Sequence, residues 1–179
     1  MHDQEVKKER EGQRLMSPDS VPDLVFRSAD ISEIDLVRPL WEQLNNHHRT
    51  NARAFRDLYR QWSFEDRKVY FSQVAAAGAL RIELAYDSLS CRYIGYCVSS
   101  LSPEKNGEIE SIFVEHPFRQ RGIGTTLLKQ ALAWLDANAS IRNRVSVADG
   151  NEDAFPFYRE FGFFPRMTVL EQKNAYPRK

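Results

Sequence analysis

The sequence predicts a single α/β (α+β) domain in which a mixed sheet is flanked by helices. Apolar residues recur at helical spacing in several segments, and strand-like segments separated by turn residues lie between them. No internal repeat or linker divides the chain, and 179 residues suffice for one well-buried core. Residues 21–179 are therefore predicted to form one domain.

The first part of the chain predicts one short strand and three helices. A strand is expected at residues 24–27, followed by an amphipathic helix over residues 32–44, although Pro39 weakens that pattern. A second helix is predicted over residues 51–62, whose apolar residues at helical spacing are Ala52, Phe55, Tyr59 and Trp62. A third helix is expected over residues 64–77.

The second part of the chain predicts most of the sheet and two more helices. The predicted strands are residues 79–86, 92–101, 108–114, 144–148 and 164–170. A helix over residues 125–137 is amphipathic, with Leu127, Leu128 and Leu135 on one face. A short helix over residues 153–161 precedes the last strand.

Composition limits which partners the protein can be expected to bind and in which cellular compartment it is expected. Lys plus Arg equals Asp plus Glu at 25 each, so no global field favours nucleic acid or an anionic membrane. Residues 1–20 are polar and have no apolar run, which predicts a flexible tail and not a signal peptide. Nothing approaches the roughly 20 consecutive apolar residues of a membrane span. We therefore expect a cytoplasmic protein, with Cys91 and Cys97 as reduced core or near-core residues.

A candidate pyrophosphate loop, Arg-Gln-Arg-Gly-Ile-Gly, occupies residues 119–124 after the strand at 108–114. Glycine lets the backbone approach a ligand closely, and the N–H groups that start a helix favour negative charge. Two better-known phosphate motifs are excluded. A dinucleotide fingerprint needs a third glycine where Leu127 stands, and a P-loop needs Lys and then Ser or Thr where Thr125 and Thr126 stand. Alone, the remaining pattern fits a glycine turn before an amphipathic helix equally well.

A second motif follows the apolar run at residues 145–148. Its members are Asn151, Ala154, Phe157, Tyr158, Gly162 and Phe163. By itself it fits a short capped helix that a left-handed glycine ends. Together, and in this order, the two motifs resemble the signatures of the GNAT superfamily of acetyl-CoA-dependent N-acetyltransferases. The resemblance covers about residues 24–170 and implies a GNAT-like, mostly antiparallel central sheet.

The resemblance implies a site for acetyl-CoA as a co-substrate. The residues expected to hold its pyrophosphate are Arg119, Gln120, Arg121, Gly122, Ile123, Gly124, Thr125 and Thr126. Ile112, Phe113 and Val114 would offer free backbone groups to the pantetheine arm. Asn151 would bind the same arm, with helix capping as the alternative role.

The resemblance also suggests the catalytic residues. An alkylamine with a pKa near ~10.4 is mostly protonated at neutral pH, so direct transfer needs a base or a water relay. Glu108 and Glu110 are two residues apart and should share a strand face, and Glu108 has the offset at which relatives place a strand glutamate. Tyr158 stands where the family has the phenol that protonates the departing thiolate. Surface carboxylates and a core aromatic are the alternatives, and Pro156 could kink the helix that carries Tyr158 unless it lies in the first turn.

The predicted activity is acetyl transfer from acetyl-CoA to an amine in a ternary complex. No His, Cys or carboxylate spacing resembles a metal site, so no metal is expected. The alternatives are a non-catalytic acyl-CoA-binding or sensing module and an interaction subunit with a degenerate site. The acceptor, a small molecule or a peptide, does not follow from the fold, and a homodimer is compatible with the family.

Four arginines recur at helical spacing across the predicted second helix: Arg49, Arg53, Arg56 and Arg60. In GNAT-like folds this region flanks the acceptor cleft, so the stripe is expected to attract an anionic acceptor. A plain solvated helix face is the alternative.

Overall fold

The structure, a computed structural model, describes residues 24–172, so the predicted tail at residues 1–20 lies outside the described residues. Five strands form one sheet in the order β1-β2-β3-β4-β5. Their bounds are Leu24–Ala29 for β1, Ala79–Asp87 for β2, Arg92–Leu101 for β3, Asn106–Val114 for β4 and Arg142–Val145 for β5. All neighbouring strands are antiparallel except β4 and β5, which are parallel. The predicted mixed, mostly antiparallel sheet is confirmed.

Helices cover both faces of this sheet. Their bounds are Arg38–Asn51 for α1, Arg56–Gln61 for α2, Phe64–Ala77 for α3, Ile123–Ala137 for α4 and Phe155–Arg159 for α5. Short 3₁₀ segments at Ile31–Val37, His116–Phe118 and Glu152–Ala154 connect them. Within residues 24–172, none of these helices is both long enough and apolar enough to cross a membrane.

Two hydrophobic cores lie on opposite faces of the sheet. On one face, Trp41 of α1 and Phe71 of α3 pack on Tyr96 of β3. On the other face, Leu127 of α4 packs in a cluster with Cys97, the next residue of β3. Successive strand residues point to opposite faces, so β3 supplies fully buried side chains to both cores.

The helices before the sheet differ in their limits from those predicted. The pattern at residues 32–44 covers the 3₁₀ segment and the start of α1, and Pro39 lies in the first turn of α1, where no helical N–H bond is lost. α1 then continues to Asn51, so the predicted helix over residues 51–62 shrinks to α2 at Arg56–Gln61.

α3 has the bounds that the sequence predicted, and a capping box explains its start. The backbone N–H of Asp66 donates to the Ser63 hydroxyl at 3.1 Å, and the backbone N–H of Ser63 donates to the Asp66 carboxylate at 3.1 Å. Gly78 follows the last residue of the helix.

The predicted final strand at residues 164–170 is wrong, because the structure has no strand there. Phe163 is the last residue that packs in the α4-side core, whereas Met167, Val169 and Leu170 are 79%, 82% and 91% exposed. β5 is also placed differently, at Arg142–Val145 instead of residues 144–148. A strand needs a hydrogen-bonded neighbour, and no local pattern tells whether one is within reach.

Both cysteines are free thiols, as predicted, but only one belongs to a core. Cys97 is fully buried in β3, and burial raises the pKa of its thiol. Cys91 is exposed in the turn between β2 and β3 and adopts a positive φ of 51°.

Candidate active site

The parallel strands β4 and β5 pair only over their first four residues, 106–109 with 142–145. Further along β4, Ile112, Phe113 and Val114 pair with β3 on one side but not with β5 on the other. In an antiparallel ladder the backbone groups of alternate residues face the partner strand. Those of Phe113 therefore face β3, contrary to the prediction, whereas those of Ile112 and Val114 face the unpaired edge and are open to an extended ligand. The carbonyl of Val114 is an exception among the predicted groups, because it accepts a 2.9 Å hydrogen bond from Nε of Arg119.

β4 has a one-residue bulge at Glu110. Val98 pairs with Ser111 and the next residue, Ser99, pairs with Ile109, so Glu110 has no partner on β3. In a regular strand Ile109 and Phe113 would share a face, but Ile109 packs in the α4-side core and Phe113 in the opposite one. The bulge therefore sets the direction of the side chains from Glu110 onward.

The Glu110 carboxylate is held by three side chains. Its side chain is 6% exposed, so it is not a surface carboxylate. One oxygen accepts from the Ser100 hydroxyl at 2.7 Å and the other from the Tyr70 hydroxyl at 3.1 Å. Arg67 donates to the backbone carbonyl of Glu110 at 2.8 Å, and its guanidinium lies 3.7 Å from the carboxylate. Burial and the Glu110 carboxylate raise the pKa of Tyr70 to about 12, so this phenol stays a hydrogen-bond donor.

The Glu108 carboxylate has a simpler environment. Arg144 of β5 donates to its Oε2 from Nε at 2.8 Å and from Nη2 at 2.7 Å. Its Oε1 has no hydrogen-bond partner among the described residues. Glu108 is also among the smaller causes of the raised pKa of Tyr70.

The loop before α4 has the conformation of an anion-binding turn. Gln120 and Gly122 both have positive φ, 61° and 76°, and Gly122 is the residue that precedes α4. The first α4 hydrogen bond runs from Thr126 N–H to the Gly122 carbonyl at 2.9 Å, so the earlier N–H groups of α4 lack a partner in residues 24–172. A Cβ atom built on Gly122 would meet no atom within 4 Å, so the space above the loop is open.

The second glycine of the loop has a different role from the first. A Cβ atom on Gly124 would lie 3.6 Å from the Phe157 ring and 3.8 Å from Val114. Gly124 is therefore where α4 comes close to α5 and β4. A larger side chain there would disturb packing as well as any ligand, so Gly124 is a poor position for testing coenzyme binding.

Tyr158 lies in α5 with its side chain buried in the α4-side core. Pro156 is in the first turn of this short helix, so it does not break the helix before Tyr158. Phe157 and Phe163 contact the ring edge-to-face at 5.3 Å and 6.0 Å. Burial raises the pKa of the phenol, and the nearby Cys97 thiol adds to this, so Tyr158 remains protonated at neutral pH.

Asn151 does not act as a helix cap. It precedes the 3₁₀ segment Glu152–Ala154, but its side chain makes no capping bond. Its Oδ1 instead lies 3.3 Å from Nε2 of His47 in α1.

The four arginines do not form the predicted stripe. Arg49 lies in the last turn of α1, Arg56 and Arg60 belong to α2, and Arg53 lies in the loop between the two helices. Each has a partner on its own chain: Arg49 donates to Asn46, Arg56 to the Ala52 carbonyl, Arg60 to Asp57, and Arg53 to Asp149 and Glu152. Arg53 and Arg60 are therefore paired with carboxylates, whereas Arg49 and Arg56 donate to neutral amide oxygens.

Sequence reasoning missed the residues that surround the candidate carboxylates. Arg67, Tyr70 and Ser100 reach Glu110 from other elements, and nothing in their local sequence marks them. His47 of α1 contacts Asn151, and nothing in the local sequence of His47 marks it either. Within residues 24–172, no group of three or more His, Cys, Asp or Glu side chains could hold a metal ion.

Comparison with known families identifies the class of protein. The model of the acetyltransferase (GNAT) family matches residues 40–163, which include both motifs and most of the sheet. The chain belongs to the acetyltransferase (GNAT) family and is by family an acyltransferase, as the sequence predicted.

Individual relatives agree with this family. An uncharacterized N-acetyltransferase (MJ1207) of Methanocaldococcus jannaschii is 33% identical over 72 residues, which are 40% of this chain and 32% of the relative. The match thus spans about a third of that relative's length.

Two solved structures share the fold. A mutant of the BH1408 protein from Bacillus halodurans has a TM-score of 0.64 at 18% identity, with 83% of this chain and 98% of that chain covered. An aminoglycoside N-acetyltransferase, AAC(6')-Iy in complex with CoA, has a TM-score of 0.63 at 16% identity, with 90% and 100% covered. At these identities the likeness shows the fold.

Proposed function

We propose that the protein transfers the acetyl group of acetyl-CoA to an amine by direct attack in a ternary complex. The observation that carries the proposal is the loop before α4, where the first N–H groups of the helix are open and Arg119 donates to Val114 on the unpaired edge of β4. Such a loop suits a pyrophosphate, and the edge suits an amide-containing arm. The CoA complex of the structural neighbour AAC(6')-Iy supports this assignment.

Four groups of residues would share the binding of the coenzyme. The backbone from Arg119 to Thr126 would hold the pyrophosphate, and Ile112 would bind the pantetheine arm through its backbone. Asn151 would donate to the same arm from its Nδ2. Since the Val114 carbonyl already accepts from Arg119, its part in binding is reduced to its N–H and side chain.

Acetyl-CoA supplies the thioester, whose carbon–sulfur bond breaks as the amine nitrogen forms a bond to the carbonyl carbon. Tyr158 donates its phenolic proton to the sulfur, a role that its raised pKa permits at neutral pH. Glu108, directly or through water, accepts the proton that the amine loses. Proton exchange with solvent then restores both residues.

Glu108 is a better candidate for the base than Glu110. Its Oε1 has no partner among the described residues, whereas both oxygens of Glu110 already accept hydrogen bonds. Glu110 would instead hold Tyr70 and Arg67 beside the reaction site.

The acceptor is proposed only as an amine, carried by a small molecule or a peptide. The structural neighbour AAC(6')-Iy is an aminoglycoside N-acetyltransferase by name, and this supports an amine acceptor without identifying it. Location in the cytoplasm and formation of a homodimer stay predictions.

The coenzyme site can be tested by reversing one charge. Arg121→Glu should weaken acetyl-CoA binding about tenfold in calorimetry at low salt and less at high salt, because a cation beside the phosphates is replaced by an anion. Lys129→Glu makes the same charge change on the exposed side of α4 and is the control. Equal affinity of both variants and the wild type would contradict this site.

Turnover separates an enzyme from a binding module. Thiol release from acetyl-CoA, measured with a panel of amines, should show activity with at least one acceptor class. Tight coenzyme binding without turnover on any amine would favour the sensing module instead.

A further inference from the structure

Two loops on opposite sides of the gap between β4 and β5 are joined by a set of contacts that we call the clasp. The first group of residues lies in the last turns of α1 and just after that helix, and the second group lies in the segment after β5. The clasp residues are His47, Asn51 and Arg53 in the first group and Asp149, Gly150, Asn151 and Glu152 in the second.

α1 contacts the chain on both sides of the gap between β4 and β5. Near its middle, Nε2 of Gln43 donates to Glu115, the residue directly after β4, at 2.9 Å. One turn further on, His47 contacts Asn151 beyond the end of β5. α1 therefore bridges the region where β4 and β5 no longer pair.

A chain of hydrogen bonds orients the Asn151 side chain. An amide oxygen can only accept, so Nε2–H of His47 must donate to Oδ1 of Asn151, 3.3 Å away. The other ring nitrogen of His47 is then an acceptor; Nδ2 of Asn51 lies 3.2 Å from it and 3.1 Å from Nε2. This arrangement directs the Nδ2 donors of Asn151 away from His47, where a ligand carbonyl could accept from them.

Arg53 pairs with the two carboxylates that lie close to Asn151 in the chain and offsets one of their two negative charges. Its Nε donates to Asp149 at 2.8 Å, and its guanidinium pairs with both Asp149 and Glu152. The backbone N–H of Arg53 also donates to Asp149 at 3.0 Å. These hydrogen bonds lower the pKa of Asp149. Without Arg53, the negative charge of Asp149 would lie unpaired close to Asn151.

The two loops approach so closely that one position must be glycine. Gly150 has a φ of 84°, and a Cβ atom there would lie 2.1 Å from the carbonyl oxygen of Asn51. Any side chain would push the loops apart. The clasp therefore combines a close backbone contact at Gly150, the ion pairs of Arg53 and the hydrogen bonds of His47.

We propose that His47 and Arg53 are positioning residues for coenzyme binding. His47 fixes the Asn151 amide, and Arg53 offsets one of two negative charges that would otherwise repel an anionic coenzyme. The inference rests on the proposed function, since it assumes that Asn151 binds acetyl-CoA. It also reverses the role that the sequence suggested for Arg53, from attracting the acceptor to supporting the coenzyme site.

A double-mutant cycle tests the action of His47 through Asn151. In calorimetry with acetyl-CoA and the full chain, His47→Ala and Asn151→Ala should each weaken binding by about five- to tenfold. The double variant should bind no more weakly than Asn151→Ala alone, because His47 then has nothing left to orient. His47→Gln, which keeps an N–H donor, should restore affinity to within about twofold of the wild type.

The outcomes separate this inference from the function on which it rests. A wild type that does not bind acetyl-CoA would overturn both. If the wild type binds acetyl-CoA but His47→Ala binds it equally well, the role of the clasp is overturned and the proposed function is not. The same holds if the losses of affinity in the two single variants multiply in the double variant. A loss of affinity in His47→Ala that His47→Gln shares fully would also contradict the proposed donor role.

The masking of charge has its own test with a matched control. Arg53→Gln and Arg60→Gln remove the same charge from neighbouring exposed positions, but only Arg53 pairs with the carboxylates beside Asn151. Arg53→Gln should raise the KM for acetyl-CoA about threefold or more at low salt, and less at high salt, while Arg60→Gln leaves it unchanged. Equal KM values in the two variants, or a change confined to the acceptor KM, would overturn this role.

Discussion

Glu108 and Glu110 show how much the surroundings of one residue decide its chemistry. Both are glutamates on β4, but Glu108 has an oxygen without a partner in the described part of the chain, whereas Glu110 accepts from Ser100 and Tyr70. A group whose lone pairs are already used is a poorer proton acceptor for a substrate. The two carboxylates should therefore respond differently to the same substitution.

We expect Glu108→Gln to lower kcat by about 10²- to 10⁴-fold at neutral pH, the contribution of a positioned base. The loss should shrink as pH rises, because the amine then deprotonates without help. Glu110→Gln should mainly lower stability, since it removes the partner of Arg67. Tyr158→Phe should lower kcat across the same pH range, because its phenol stays protonated there. A pH–rate profile of the three variants checks this, and a pH-dependent loss in Glu110→Gln would transfer the role of base to Glu110.

At the scale of elements, the segment after α5 illustrates a strand pattern without a strand. Residues 164–170 have the alternating apolar character of a strand, but no described strand pairs with them and their apolar side chains are exposed. Side chains that contact solvent in both the folded and the unfolded chain contribute little to stability.

Val169→Thr combined with Leu170→Gln should therefore change the free energy of unfolding by less than about 1 kcal/mol. Leu135→Ala, in the fully buried face of α4, is the contrasting variant and should cost about 2–5 kcal/mol. Urea unfolding of the full chain measures both. A loss of several kcal/mol in the double variant would mean that this segment packs against a partner in solution.

At the scale of the whole molecule, His48 couples global stability to pH. It lies in α1 beside Tyr59 and His47, with ring centroids 5.4 Å and 5.9 Å away, and its Nδ1 is buried without a partner. Burial, with a smaller contribution from His47, lowers its pKa to about 4. The unfolded chain binds a proton on His48 from about pH 6.5 downward, whereas the folded chain does so only near pH 4.

Stability should therefore fall as pH drops from about 6.5 to 4, by up to about 3 kcal/mol from His48. His48→Phe keeps a ring against Tyr59 but cannot titrate, so its unfolding free energy should depend less on pH in this window. Parallel urea titrations of the two proteins at several pH values give the difference. Curves with the same pH dependence would contradict this, because they would mean that His48 has the same pKa in the folded and unfolded chains.

The sequence by itself determined the family, most of the order of the elements and the position of the glycine loop before α4. These follow from local features: the helical spacing of the apolar residues in α4, the strand-like segments between turn residues, and two motifs at fixed offsets. Local patterns act within a few residues, so they can be found without knowing what the segment packs against.

Only the tertiary structure decided how the candidate residues are used. The bulge at Glu110, the contact of Arg67 and Tyr70 with Glu110, and the clasp between Arg53 and Asp149 join residues that are distant in the chain. The same reason explains the missing strand at residues 164–170, since pairing depends on a neighbouring edge that local pattern does not reveal. Hydrogen bonds and ion pairs between elements depend on three-dimensional distance, and sequence spacing carries no information about it.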